Sequence, residues 1–471
     1  MSNLLSAIKN AASSMLSYQQ MIQVIEHNVA NASTEGYRRQ EAVLTPGIPT
    51  SSSRVGGNYV GQMGTGVIVS YIRQYGKAFI DAQIRSQIAE SAKWDLESSI
   101  LSQVEMTLDE TGDAGLITML DAFWSSWQSL ADDPSNMSLR TSLKQSGQDL
   151  VDAFNNRVSM LRTIRQDQDE SIVESVNEIN EIAAHVAELN TEIVKALAAK
   201  EAPNDLIDER DLQLKRLAEL TGGTVTYKDS GEALVSIGGH ALVIGSEAFA
   251  LTTTRDSTNE NMVKISWAID GMNFTPTAGE LAGLFEARDV IIPGQLRGLS
   301  DLAEALSTTV NTQHALGFDL NGDEGGDFFD FTATTDTFFK ISLSDNLNDL
   351  AHIAAASQTN SPGDGNNATS MALLRESLVM NSGASTFGDY YNNQITALGL
   401  QVMQANAKSS DSNVVLNSLE QLRESESGVS LDEEAANLVN AQKSYQACAR
   451  VLTAIDEILN TLINSTGLVG R

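Results

Sequence analysis

The sequence predicts a mainly α-helical, elongated protein with an inserted β domain, in which long terminal helices pair as a coiled coil. Three observations carry this reading. Leu4, Ile8, Ala11, Met15, Tyr18, Ile22, Ile25 and Val29 recur at alternating steps of four and three, which is a heptad stripe. Leu431, Leu438, Tyr445, Leu452 and Leu459 fall seven apart near the other end, and Ala441, Cys448, Ile455 and Leu462 form a second row beside them. Between the ends, apolar residues keep helical intervals over 138–199, and the period changes to two within 224–292.

The first helix has small or polar residues off its stripe (Asn3, Ser6, Ser13, Ser17, Gln20, Gln23, His27), so it presents one apolar seam that needs a partner. Alone in water such a helix is marginal, because packing supplies most helical stability. It ends in the stretch NVANASTEGYRRQ, residues 28–40. There Asn31, Ser33 and Thr34 compete for backbone hydrogen bonds, Gly36 permits a left-handed turn, and Tyr37 follows.

Residues 41–75 hold Pro46, Pro49 and the glycines 47, 56, 57, 61, 64 and 66 before the apolar run Val67 to Ile72, predicting an extended loop that leads to a strand. Helical spacing follows over 76–110, and again over 116–130 up to Asp132-Asp133-Pro134. Residues 138–199 lack proline and glycine after Gly147 and predict one very long helix, ended by Pro203. The segment NDLIDERDLQLKRLAEL adds another before Gly222-Gly223.

ALVSIGGHALVIG then reads as two strands around a Gly238-Gly239 turn, and Val263, Ile265, Trp267 and Ile269 alternate strictly. Helical spacing returns at 296–316, followed by a Gly/Asp-rich loop over 317–333, a mixed segment over 334–380 and a helix over about 384–425. The last helix starts with a capping box, Ser430 and Glu433, and its Asp432, Glu433 and Glu434 complement the helix dipole. At 1.5 Å per residue the terminal helices extend ~40 Å and ~50 Å, a matched pair.

The 471 residues exceed one ordinary core, predicting about two to four domains. The expected division is a terminal helical assembly domain (1–40 with 428–471), a long-helix body (41–223 with 293–427) and a β-rich outer insertion (224–292).

Thirty Lys and Arg face 61 Asp and Glu, for a net charge of −31, and no basic run exceeds Arg38-Arg39. That excludes a phosphate-tracking surface, so no nucleic-acid partner is expected. A single cysteine, Cys448, excludes intrachain disulfides. The first 30 residues hold one Lys and one Glu with no apolar core and cleavage site, so no cleaved signal is expected. Nowhere do 18 apolar residues run together, and no membrane insertion is expected.

Chemistry-bearing motifs are sparse. In DLNGDEGGDFFD, residues 319–330, Asp319, Asn321, Asp323, Asp327 and Asp330 occupy oxygen-donor positions of a calcium loop. Glu324 stands where the sharp turn needs glycine, and Asp330 is shorter than the usual glutamate, so an Asp/Gly structural turn is the expectation. Histidines 27, 185, 240, 314 and 352 form no ligand pair at helical spacing. Asp205, Asp208, Glu209 and Asp211, gathered around Arg210 at a helix start, read as capping and ion-pairing groups rather than acid/base catalysts. Cys448 reads as a small contact on the apolar row. No catalytic residue, cofactor or metal site is predicted.

NVANASTEGYRRQ resembles the signature that flagellar rod, hook and hook-associated axial proteins carry after their first helix, and SGVSLDEEAANLVNAQKSYQACARVLTAIDEILNTL resembles their C-terminal signature. Interior segments, among them LDAFWSSWQSLADDPSNMSLR, APNDLIDERD and VNTQHALGFDLNGDEGGDFF, are similar to the hook-associated members at the hook-filament junction. Glu35 stands where many relatives have proline, and Arg38 where a small polar residue is usual. The resemblance implies a structural protein, not an enzyme, exported unfolded through the flagellar type III apparatus and polymerised with its terminal helices innermost. It implies as partners further copies of itself, the hook protein, a second junction protein and an export chaperone. Two other readings stay open at this point: a hook or distal-rod protein, and an acidic calcium-dependent adhesin with helical oligomerisation ends.

Overall fold

The structure is a computed structural model that describes residues 2–51, 62–108, 115–335 and 337–465; the glycines at 56, 57 and 61 lie outside the described residues. The first helix, α1 (Ser2–Ala30), leads through the turn into β1 (Gln40–Pro46). Two short strands, β2 (Thr50–Ser51) and β3 (Gln62–Met63), pair with each other, and β4 (Val67–Gln74) returns antiparallel to β1 with Gln40 opposite Gln74. The sequence reading took 41–66 as loop. It misses β1 because QEAVLTP has no clean alternation and its register shifts at Val43/Leu44.

The helical body follows as α2 (Ala78–Thr107), α3 (Leu116–Asp132), α4 (Met137–Ala198) and α5 (Asn204–Thr221). At 62 residues α4 is about 93 Å long. Its first half, with Leu143, Leu150, Phe154 and Leu161, joins a core with Phe123, Trp127, Leu296, Leu302 and Phe328. Its second half, with Ile172, Val176, Ile179 and Val186, joins another core with Leu214, Leu217, Val235, Leu242 and Trp267. Where the two cores meet, α4 turns polar: buried Asp169 accepts from Arg288 at 2.7 Å, and Arg165 pairs with Glu260 at 2.8 Å.

Strands β5 (Thr224–Tyr227), β6 (Ala233–Ile237), β7 (His240–Ile244) and β8 (Glu247–Ala248) form one antiparallel sheet, with Gly238 and Gly239 both at positive φ in the β6/β7 turn. A second sheet has the order β11 (Asn273–Phe274), β10 (Met262–Trp267), β9 (Leu251–Asp256). Residues 279–291 are helical, not β: α6 (Gly279–Glu286) runs into a π-helical turn, Ala287–Ile291, and then α7 (Ile292–Ala315). The two-residue period is buried only as far as Trp267, Ile269 being 70% exposed past the end of β10. The last strand of this part ends at Phe274, and Leu281 and Leu284 of α6 close the core beneath the strands.

The hairpin β12 (Phe329–Thr335) and β13 (Phe338–Leu343) replaces part of the expected loop and mixed segment, held by the Phe331–Phe339 ring pair and by Phe328 and Phe329 in the core. After α8 (Asn366–Leu373), α9 (Phe387–Ser427) runs back along α2, and α10 (Leu431–Ser465) pairs with α1.

Candidate functional site

The terminal pair and the turn that ties it to the body form the candidate site. In α1, Ala11 and Ile25 are buried, and Leu4, Ile8, Met15, Tyr18 and Ile22 are half-buried. In α10, Ala441 and Ile455 are buried, while Leu438, Tyr445, Cys448, Leu452 and Leu459 are half-buried. Three stripe positions are exposed: Val29 at 44%, Leu431 at 55% and Leu462, of the second row, at 46%. For the first two the reason is local: in the last turn of α1 the inward position goes to Asn28, and in the first turn of α10 it goes to Glu434.

Asn28 is 0% exposed and fully satisfied. Its Nδ2 donates to Gln40 O (2.8 Å) and Glu434 Oε2 (3.2 Å), and its Oδ1 accepts from Gln40 N (2.9 Å) and from the Tyr37 hydroxyl (2.8 Å). The side-chain amide thus pairs with the backbone of Gln40 as a neighbouring strand would, fixing where β1 begins. Burial and the nearby Asp205, Asp208 and Glu434 push the Tyr37 phenol well above its ordinary range, so it stays a donor. His27 Nδ1 lies 3.0 Å from the same hydroxyl.

Of the other predicted turn residues, Asn31 caps the helix, its Nδ2 donating to His27 O at 3.0 Å. Gly36 adopts φ +81°, with Leu212 of α5 directly behind it.

The two arginines do what the sequence reading did not assign. Arg39 Nε donates to Glu434 Oε1 at 2.7 Å, its N–H to Ser427 O at 2.9 Å, and its guanidinium lies over Tyr75. Glu434, read as a dipole-complementing residue, is buried and completes this clamp. Arg38 reaches into the body, pairing with Asp211 (2.7 Å), Asp81 (3.0 Å) and Asp208 (3.7 Å). Gln40 joins them, donating to Asp205 Oδ1 at 2.8 Å.

The acidic NDLIDERD segment is therefore an ion-pairing site, as expected, but its principal cation is Arg38. Arg210 turns away to Asn190 Oδ1 (3.0 Å) and Gly231 O (2.6 Å), and Glu209 meets His185. Burial, reinforced by Asp211 and Asp205 and opposed by Arg38, pushes the Asp208 carboxyl up to about 7.

A second anchor holds the same face of α1 as Asn28, nearer the helix's N-terminus. Ser17 Oγ donates to Val67 O (2.9 Å), Val67 N donates to Ser14 Oγ (3.1 Å), and Asn10 Nδ2 donates to Gly64 O (3.1 Å). Gly66, at φ +88°, lets the strand approach: a Cβ there would stand 2.5 Å from Ser14 Oγ. Ser14 and Ser17, both off the apolar stripe, are thus buried against β4.

In the 319–330 loop, Asp319 Oδ1 accepts from Asn321 N (2.7 Å) and Asp323 N (3.0 Å), an Asx-type turn. Among the described residues no three His, Cys, Asp or Glu side chains converge as metal ligands.

The family described as "Flagellar hook-associated protein FlgK helical domain" matches residues 101–329, and "Flagellar basal body rod FlgEFG protein C-terminal" matches 421–465. Flagellar hook-associated protein 1 of Bacillus subtilis is 30% identical over 506 aligned residues, covering 98% of this chain and 99% of that protein. The chain belongs to the flagellar hook-associated protein 1 family. The Escherichia coli member is 26% identical, covering 98% of this chain and 99% of its own length. The solved hook junction protein FlgK of Burkholderia pseudomallei superposes with a TM-score of 0.67 at 16% identity, covering 74% of this chain and 100% of that one. In this hook-associated protein 1 family member, the rod-type C-terminal match spans the end of α9 and all of α10, including Glu434 of the clamp.

Proposed function

We infer that this chain is an exported structural component of the bacterial flagellum, polymerised at the junction between hook and filament and coupling the two by subunit packing. The observation that carries this reading is the full-length relationship to hook-associated protein 1, joined to a terminal helix pair that leaves large apolar side chains exposed on its outer surface. Leu5 and Leu16 of α1 and Val451 and Ile458 of α10 are half or more exposed, and a single chain gains nothing by leaving such side chains in water.

The predicted seam has an assembly role in this proposal. The α1/α10 pair packs against the same pair in neighbouring copies, and the clamp around Asn28, Arg39 and Glu434 fixes its angle to the body. The partners are further copies of this chain, the hook protein, a second junction protein and an export chaperone, and the role is mechanical rather than catalytic. Deleting the gene and imaging the cells by electron microscopy tests the reading. Bare hooks, with flagellin lost to the medium, are expected. Intact filaments would reject the role, and missing hooks would move the protein to the rod or hook.

A further inference from the structure

A cavity of about 310 Å³ opens between α2, the π-helical turn, α7 and α9, away from the terminal pair. Glu97 lines it and is only 8% exposed; its Oε2 is closed to solvent, and the side chain makes no hydrogen bond or ion pair with any described residue. Glu286 lines the same cavity. Two lysines stand nearby, and Lys408 also lines the cavity; their charges steady the carboxylate from a distance, but neither ammonium bonds to it, and both lie over the Trp94 ring, at 5.0 Å for Lys93 and 4.9 Å for Lys408.

An enclosed carboxylate without a partner loses hydration that nothing replaces, and a protonated one still lacks an acceptor for its O–H. Cavities of this size with apolar walls and a few convergent polar groups are ligand sites. Here Leu101, Ile291 and Ala405 supply the walls, and Gln401 and Gln404 of α9 supply amides. The wall also includes Val290 and Ile291 of the π-helical turn, a distortion that gathers at functional sites.

We propose that this cavity binds a guanidinium group, carried either by an arginine side chain of a neighbouring chain or by a free arginine-like amine. Two carboxylates against one lysine, Lys408, leave the lining acidic, which selects a cation. A planar guanidinium suits this half-open, partly apolar site better than an ammonium, because it is weakly hydrated and presents a fork of N–H donors to a carboxylate.

The test titrates the full chain with Nα-acetyl-arginine amide by calorimetry, using Nα-acetyl-norleucine amide as the uncharged analogue. Saturable binding of the arginine compound alone is expected, about tenfold or more weaker in Glu97→Gln and unchanged in Glu170→Gln, which removes an equal charge from the exposed face of α4. Circular dichroism establishes that each variant is folded. Equal binding to all three proteins would assign the heat to the acidic surface and overturn the proposal. So would a wild-type chain that ignores the ligand while Glu97→Gln melts higher, since Glu97 would then be a tolerated buried carboxyl. Sedimentation separates the sources. Self-association that the arginine compound and Glu97→Gln both weaken puts the arginine on a second copy, whereas a monomer that binds the compound assigns a free amine.

Discussion

Arg39 Nε stands 2.7 Å from Glu434 Oε1, joining the signature turn to the first turn of the C-terminal helix across 395 positions of sequence. The carboxylate is 1% exposed, so its charge depends on Arg39 and on the amide of Asn28. Arg39→Ala leaves a buried charge with one neutral donor. It is expected to loosen α10 by about 2 kcal/mol or more while leaving the body folded. Hydrogen exchange checks this: amides of the first turns of α10 lose protection and those of α7 do not.

The Arg38 site should carry a pH dependence. The folded-state carboxyl of Asp208, at about 7, lies above its unfolded value near 4, so the folded chain holds this proton more tightly. Its contribution is complete below about pH 4 and is lost as pH rises through about 7. Asp208→Asn is expected to match the wild type in denaturant midpoint at pH 4 and to equal or exceed it at pH 8, with Arg38 still held by Asp81 and Asp211.

His314 has the opposite sign. It is buried, Nδ1 donates to Gly326 O at 2.6 Å, and Nε2 accepts from Ala354 N at 2.9 Å, so both nitrogens are used in the neutral ring. Burial holds its pKa below the ordinary value. Its stabilisation is complete above about pH 6.5 and is lost as pH falls from there through the folded-state value. His314→Phe strands the buried Ala354 N–H, while the carbonyl of exposed Gly326 can turn to water, and is expected to cost about 1 to 3 kcal/mol at pH 7, and less at pH 5, in urea unfolding followed by circular dichroism.

Leu438→Asp or Tyr445→Asp puts a charge into the half-buried face that α10 turns to α1. Either is expected to leave the body's melting transition in place and to abolish assembly. Normal junctions in cells expressing such a variant, seen by electron microscopy, would count against an assembly role for the seam.

Calcium is expected to be without effect. Asp319, which would lead a calcium loop, already spends Oδ1 on two backbone N–H groups and receives Asn321 Nδ2 on Oδ2. Melting temperatures in millimolar calcium and in chelator should coincide, and a calcium-dependent rise would reopen the adhesin reading.

The two heptad stripes, the unbroken α4 pattern and the Gly238-Gly239 hairpin were all legible in sequence, because each is a local periodicity or a local turn requirement. The strand β1 was not, since its partner lies beyond residues 50–63 and its register is set by the side chain of Asn28 rather than by alternation. Nor was the helical character of 279–291, which follows from Leu281 and Leu284 closing the core under the strands. At the site, Gly36 and Tyr37 announced themselves by type. Asn28 and Glu434 did not: an Asn at a helix end reads as a stop signal and a Glu in a first helical turn as dipole chemistry.

By itself, then, the sequence determined the long helices, the apolar stripe of each terminal helix and the Gly238-Gly239 turn. Only the tertiary structure decided which charges meet. Arg38 could pair with any of the chain's 61 carboxylates. Packing α5 against α2 brings Asp208, Asp211 and Asp81 around it, while the neighbouring Arg39 goes to Glu434. Ion pairing acts through space at a few ångströms and carries no trace of sequence separation, so no periodicity records it.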